Sequence, residues 1–240
     1  MSSDQARAYH SITIGDKNTW DDWHLVPTSR PLVPPPGVNT SYVTVPGASG
    51  ALDLTEALTG YPTYSNRTGS WEFIVMNDYG EWYARYSEIM GYLHGKQLRA
   101  ILDDDPNYYY EGRFSVSGWA SNKNWSRITI NYNVGPYKIE VYGVDENWVW
   151  DTFNFESDMV HAYSDIAIDG STPVTVYNDI MRVRPTIVCS AVMTVTFNSN
   201  TYDLAQGENS IREIVFTEGE NILTFNGTGT VTIKMHGGRF

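Results

Sequence analysis

Cysteine is almost absent from the 240-residue sequence: Cys189 stands alone, so no disulfide can form within the chain. Its place in the apolar stretch Thr186 to Val192 predicts a buried, inert thiol. Basic residues are also scarce, with 16 Lys and Arg against 28 Asp and Glu and a formal net charge of -12. Affinity for nucleic acid comes from cations that displace counterions from phosphates, so a chain-wide basic groove is excluded, a local patch is not, and DNA is expected to be repelled. The longest apolar runs, such as Val188 to Val192, fall far short of the roughly 20 residues of a membrane span, and no membrane insertion is expected. The first ten residues, MSSDQARAYH, lack the charged start, apolar middle and cleavage site of a secretory signal, which predicts synthesis and folding in the cytoplasm. No two of His10, His24, His94, His161 and His236 have a metal-ligand spacing. Nucleophile elbows, phosphate-cradling loops and dinucleotide fingerprints are missing too, and no catalytic residue, metal or cofactor is expected.

What the chain does have is 41% hydrophobic and 14% aromatic residues, enough to build a core. Short runs rich in Val, Ile, Thr, Tyr and Phe, bounded by Gly, Asn, Asp or Pro, predict an all-β chain. Strands are expected at 41–45, 70–75, 112–118, 127–132, 138–141, 174–176, 193–197, 211–216, 221–225 and 230–235. The last of these alternates Val231, Ile233 and Met235 with Thr230, Thr232 and Lys234, the mark of a half-buried antiparallel strand. Gly227-Thr228-Gly229 before it reads as a hairpin turn. One segment has a helical period: Trp82, Tyr86, Ile89, Met90 and Leu93 share a face, and Gly95 supplies a stop. A second short helix is expected from Asp53 to Leu58, capped by Asp53 with Glu56 three residues on, its Leu54, Ala57 and Leu58 facing inward. The four prolines between Pro31 and Gly37 predict an extended loop. Gly135-Pro136 marks a boundary between an N-terminal domain, residues 1–137, and a smaller sandwich, residues 138–240, and no repeat of fixed period is visible.

Candidate sites are few. Asp103-Asp104-Asp105 lacks the glycine and the distal glutamate of a calcium loop, and a solvated turn before Pro106 is favoured. With 28 acidic residues, a carboxylate pair of glycosidase spacing is no signal at all. Tyr108, Tyr109, Tyr110, Trp119, Trp125, Trp148 and Trp150 are candidate aromatic platforms for sugars, with core packing or a protein interface the favoured alternative. The sequons at Asn39, Asn66, Asn124 and Asn226 carry no weight without an export signal.

Several segments taken in order resemble one family. They are Val45-Pro46-Gly47-Ala48-Ser49-Gly50-Ala51-Leu52-Asp53 through Gly60, then Tyr64 to Gly69, and the strand Trp71 to Val75. Leu93-His94-Gly95-Lys96 follows, then Leu102 to Pro106, Tyr109-Tyr110-Glu111-Gly112-Arg113 and Pro136-Tyr137-Lys138. Pro185 to Val188, Glu218-Gly219-Glu220-Asn221 with Leu223, Phe225, Gly227 and Gly229, and the final Gly-Gly-Arg-Phe complete the set. The pattern is similar to the distal tail proteins of long-tailed bacteriophages. It departs from them at Ala48-Ser49, where the family often has Arg-Asp. Gly47 and Gly50 still provide the positive φ that the turn requires. Pro46, Asp53, Gly95, Gly112 and Pro136 are its other expected turn and helix-stop residues.

The resemblance implies an N-terminal β domain that builds a hexameric ring at the far end of the tail tube. A galectin-like C-terminal β-sandwich would project as a docking site. Implied partners are further copies of the chain, the tail tube protein, a tail tip protein and receptor-binding proteins, in a virion assembled in the bacterial cytoplasm. DNA would pass through the ring without specific binding, its bore lined by carboxylates. Lack of catalytic motifs and abundance of aromatics agree with a protein that works through interfaces. The alternatives are a carbohydrate-binding sandwich gripping sugar through Trp148, Trp150 or neighbouring aromatics, and a cell-wall hydrolase, for which no motif speaks.

Overall fold

The computed structural model of the chain describes residues 10–75, 82–121, 125–141 and 163–240. Among the described residues the architecture is all-β with a single helix, and the chain divides into two compact units, Met1–Lys138 with Phe240, and Ile139–Arg239.

The first unit contains β1 (Ile12–Ile14), β2 (Lys17–Asn18), β3 (Leu25–Pro27), β4 (Tyr42–Thr44), β5 (Ala51–Asp53), β6 (Arg67–Val75), α1 (Trp82–Leu93), β7 (Gln97–Leu102), β8 (Tyr108–Ser121) and β9 (Ser126–Val134). Its main sheet runs β2-β1-β7-β8-β9-β6-β3, and β4 pairs only with β5. Period-two alternation gives the sheet a buried face: β9 turns Ile128, Ile130, Tyr132 and Val134 inward, and the antiparallel register sets Ile130 opposite Trp71 and Ile128 opposite Phe73 of β6. Trp82, Ile89 and Leu93 of α1 are buried in the same core, with Tyr86 and Met90 packed against it, so the three-four spacing lays one helix face on the sheet. Each large apolar side chain buried in this way contributes roughly 1.5–3 kcal/mol. Gly95, at φ 77°, ends the helix in the left-handed conformation, and its N–H donates to the Phe114 carbonyl at 2.7 Å.

Two expectations fail in this unit. No helix forms from Asp53 to Leu58: Asp53 is the last residue of β5, turns follow it, and Leu58 is wholly exposed. A short helix needs an interior against which to bury Leu54, Ala57 and Leu58, and none lies there. The Asp53 side chain accepts instead from the Thr55 N–H at 2.9 Å, closing a two-residue turn rather than capping a third helical residue. Gly112 is not at a turn either. It lies inside β8, where an added Cβ would sit 2.5 Å from Val134 Cα, so its lack of a side chain serves the close approach of two strands.

β10 (Lys138–Glu140) follows. The second unit then has β11 (Ile166–Asn178), β12 (Thr186–Cys189), β13 (Met193–Phe197), β14 (Asn200–Leu204), β15 (Gly207–Asn209), β16 (Gly219–Lys234) and β17 (Gly238–Arg239). The strand order is β14-β13-β16-β12-β15, with β11 paired along β16 from Asn178–Gly219 to Ile166–Val231. β16 changes partner along its length, pairing with β13 through Thr224–Asn226 and with β12 through Val231–Lys234.

The two terminal strands expected from the sequence are thus one, and Gly227-Thr228-Gly229 is no hairpin turn. The odd-numbered residues Asn221, Leu223, Phe225, Val231 and Ile233 all face inward, which places Gly227 and Gly229 on the inner face as well. A Cβ would lie 2.6 Å from Met193 Cβ at Gly227 and 2.6 Å from Ser190 Oγ at Gly229. Both glycines admit the crossing chain Ser190–Met193, a packing requirement that resembles a turn signal in sequence. The strand expected at 211–216 is also absent. Ile214 and Phe216 are buried, but the segment is a turn followed by an isolated bridge between Phe216 and Val183, which itself lies between β11 and β12 and in neither strand.

Two turns in this unit have the same construction, each ending in Gly-Glu-Asn. Asn209 Nδ2 donates to the Ala205 and Gly207 carbonyls at 2.8 and 3.0 Å, and its Oδ1 accepts from Ala205 N–H at 2.9 Å. Asn221 repeats this with Thr217 and Gly219 at 2.8, 3.1 and 2.9 Å.

Candidate assembly surface

Most of the exposed large apolar residues described in the first unit are gathered on one feature, although Leu32 and Tyr83 are exposed outside it. Between Gly37 and Ser65 the chain leaves the sheet as a two-stranded arm. Its root is held by Ser65 N–H to the Gly37 carbonyl and Asn39 N–H to the Thr63 carbonyl, both 2.9 Å, and by the Val38–Tyr64 bridge. Farther out β4 and β5 pair Tyr42 with Asp53, Val43 with Leu52 and Thr44 with Ala51. Gly47 and Gly50, at φ 83° and 86°, shape the turn that begins at Pro46. All six residues of β4 and β5 are exposed, so neither face of the arm is covered. Val38, Tyr42, Val43, Leu52, Leu54 and Leu58 all stand in water. A lone hairpin is marginal in water, and a contiguous apolar patch marks a surface that becomes covered.

At the arm's flank an open cleft of about 600 Å³ is lined by Val38, Tyr42, Asp53, Thr55, Glu56 and Pro62 among others. The Asp53 carboxyl is held below the usual carboxylate range by hydrogen bonds from Thr55. No Lys or Arg occurs from Gly37 to Asn66, so the arm presents carboxylates and aliphatic side chains without a cation of its own.

The aromatic candidates are differently placed. Tyr108, Tyr109 and Tyr110 are buried, and a cation from elsewhere in the chain covers each ring: Lys138 lies 4.5 Å from the centroid of Tyr108, Arg99 4.4 Å from Tyr109 and Arg67 5.5 Å from Tyr110. They are structural, not a sugar platform. Trp119 is enclosed by Trp82, Tyr83 and Tyr86 at centroid distances of 5.2, 5.0 and 4.7 Å. Trp125 is exposed beside Arg127. Trp148 and Trp150 lie outside the described residues, as do His161 and Asn124.

The three aspartates after β7 point to three different partners. Asp103 accepts from Ser11 Oγ at 2.5 Å, Asp104 pairs with Arg30 at 2.8 Å and His10 at 2.9 Å, and Asp105 pairs with Lys138 at 2.6 Å. The Arg30 hydrogen bond, with a smaller one from His10, holds the Asp104 carboxyl below the ordinary range. The run is a tie point for distant segments, and no cluster of three metal-ligating side chains occurs among the described residues. Cys189 is buried in β12, and burial pushes its thiol up. Pro136 acts through its carbonyl, which accepts from Arg67 Nε at 2.8 Å and so ties the first residue of β6 to the end of the unit.

Two β-rich units, the first with one helix and an uncovered hairpin arm, make up an all-β fold among the described residues. The solved structure of SPP1 Dit (gp 19.1), titled a paradigm of the hub adsorption apparatus in phages infecting Gram-positive bacteria, has this fold. It matches with a TM-score of 0.62 over 96% of this chain and 99% of that one, at 14% sequence identity. The all-β class with a short helix expected from the sequence is therefore the class observed. No protein-family model matches the sequence, and no curated protein matches it.

Proposed function

We propose that this chain is a structural subunit of a phage tail: a non-enzymatic hub protein that closes into a hexameric ring at the distal end of the tail tube. The observation that carries the reading is the arm, an apolar two-stranded extension with both faces in water. The fold shared with SPP1 Dit supplies the context. Ring closure needs a heterologous contact, one surface meeting a different surface of the next copy, and an arm leaving one flank of the sheet is a device of that kind. Residues 1–137 would build the ring, and residues 138–240, the galectin-like sandwich of the resemblance, would be presented to tail tip and receptor-binding proteins. The tube protein would dock on the ring, and the net charge of -12 favours DNA passing without adhesion.

The carbohydrate-binding reading gains no comparable support: Trp148 and Trp150, on which it rests, lie outside the described residues, and of the other aromatic candidates Tyr108 to Tyr110 are buried and Trp119 is enclosed. Native mass spectrometry and negative-stain electron microscopy of the full chain test the proposal. A sixfold ring is expected, and a monomer at every concentration up to the millimolar range overturns it.

A further inference from the structure

The arm's acidic, cation-free surface has a counterpart on the same unit. Lys96, Arg99 and Arg113 gather where α1 ends and β7 begins, a positive corner on a chain of net charge -12. Their heads are fixed largely by neutral groups. Lys96 Nζ donates to the Gly91 carbonyl at 3.0 Å, Arg113 donates to the Gly95 carbonyl at 2.9 Å, and Arg99 lies over the Tyr109 ring. Among the described residues one carboxylate, Glu111, pairs with any of the three, at 3.7 Å from Arg99, whose side chain remains 64% exposed. Held cations with so little neutralisation form a preorganised site for carboxylates.

Sheet register sets the arm and this corner at one level. Arg67, where the chain re-enters the sheet from the arm, pairs with Val134, Val134 with Gly112, and Gly112 with Leu98. The next row runs from Thr68 through Asn133 and Arg113 to Gln97. Arm root and corner therefore share the same end of the sheet, with Gly112 of β8 two strand spacings and Leu98 of β7 three from Arg67, roughly 10–14 Å. An arm that extends past its own subunit at this level would meet the same corner of a neighbouring copy set beside it.

We propose that the cationic corner of Lys96, Arg99 and Arg113 receives the arm of the next copy, with Asp53 and Glu56 meeting the cations and the apolar arm residues buried beside them. This rests on the ring reading and adds its docking address. A charge swap tests it; because Arg99 also covers the buried Tyr109 ring and Arg113 holds the Gly95 carbonyl, urea unfolding of each variant is measured alongside to show that the subunit stays folded. The double variant Arg99→Glu/Arg113→Glu is expected to weaken assembly of the full chain at least tenfold in native mass spectrometry. Adding Asp53→Arg/Glu56→Arg to that variant is expected to restore it. A second measurement uses Glu56→Cys/Arg113→Cys on a Cys189→Ala background, where mild oxidation should yield covalent multimers. If the double charge variant assembles like the parent and the cysteine pair stays monomeric, the address is wrong while the ring stands. If the parent chain never assembles, the ring and the address fall together.

Discussion

The two Gly-Glu-Asn turns of the second unit offer a matched pair for asking what a single amide is worth. In both, the Asn side chain spans the loop and satisfies a backbone N–H and two carbonyls, and Asn209 Nδ2 also reaches the Ile187 carbonyl at a long 3.3 Å, so Asn→Ala removes the same three loop bonds from each and one weak further bond at Asn209. The environments differ: Asn221 is 4% exposed, at the start of the long β16, whereas Asn209 is half-buried at the edge of the sheet in β15. A typical hydrogen bond contributes about 1 kcal/mol net, and a group left without a partner away from water costs more than one that water can reach. Asn221→Ala is therefore expected to destabilise by about 2–3 kcal/mol, and Asn209→Ala by about 1 kcal/mol. Urea unfolding followed by far-ultraviolet circular dichroism measures both, with an unchanged denaturant slope confirming that the native state is what changed. Asn221→Asp keeps the acceptor for Thr217 N–H but aims a carboxylate at two carbonyls, so it should cost at least as much as alanine. Equal losses at the two sites, or a larger loss at Asn209, would refute the assignment of the difference to burial.

Gly112→Ala forces Cβ against the Asn133–Val134 backbone, which cannot swing aside as a side chain would, and is expected to lower stability by about 2–3 kcal/mol in the same assay. Leu52→Ser/Leu58→Ser, on arm residues already in water, should leave the midpoint for subunit unfolding within about 0.5 kcal/mol of the parent. It should weaken self-association about tenfold by sedimentation or native mass spectrometry. Asp104 is held below the ordinary carboxylate range chiefly by Arg30, so its stabilisation is complete above the unfolded value of about 3.9 and disappears as pH falls through the lower folded value. The difference in melting temperature between the parent and Asp104→Asn should accordingly be present at neutral pH and shrink as pH falls below about 4.

Where one face of an element meets a core, the sequence was enough to read it. The helix Trp82–Leu93 follows from five side chains at three-four spacing, and Met193–Phe197 from strict alternation, because burial imposes those periods directly. Reading failed where residue type answers to a distant partner. Gly227 and Gly229 look like a turn because glycine does not reveal whether it is present for its backbone freedom or for the Met193 and Ser190 atoms that cross above it. The tyrosines 108–110, for which the sequence favours core packing or an interface over a sugar platform, are buried, but the cations Lys138, Arg99 and Arg67 that cover their rings come from distant positions and were not legible. The arm was misread most instructively. Leu54, Ala57 and Leu58 do have helical spacing, yet spacing is only an invitation to bury, and nothing in the subunit accepts it. The absence of Lys and Arg from the arm was no sign of it either, because residues 139–181 make a longer run without a cation.

That uncovered arm also determines how assembly should proceed. If every copy gives one arm and receives one, an open chain of six has five contacts and a closed ring six. The sixth forms between ends already tethered, so its effective concentration is set by the chain and not by the solution. It adds the full contact energy without the translational and rotational cost that each earlier contact carried, roughly 4–15 kcal/mol at the usual standard state. Partial assemblies are then less stable per subunit than the ring, and a titration of the parent chain should pass from monomer to hexamer with dimers to pentamers scarcely populated. Breaking the contact in a minority of subunits should act out of proportion to their number, because one defective copy opens the ring. Mixing Arg99→Glu/Arg113→Glu subunits into the parent at one in six is expected to reduce closed rings by well over one sixth in native mass spectra. A strictly proportional loss would mean that the subunits associate through contacts that do not depend on closure.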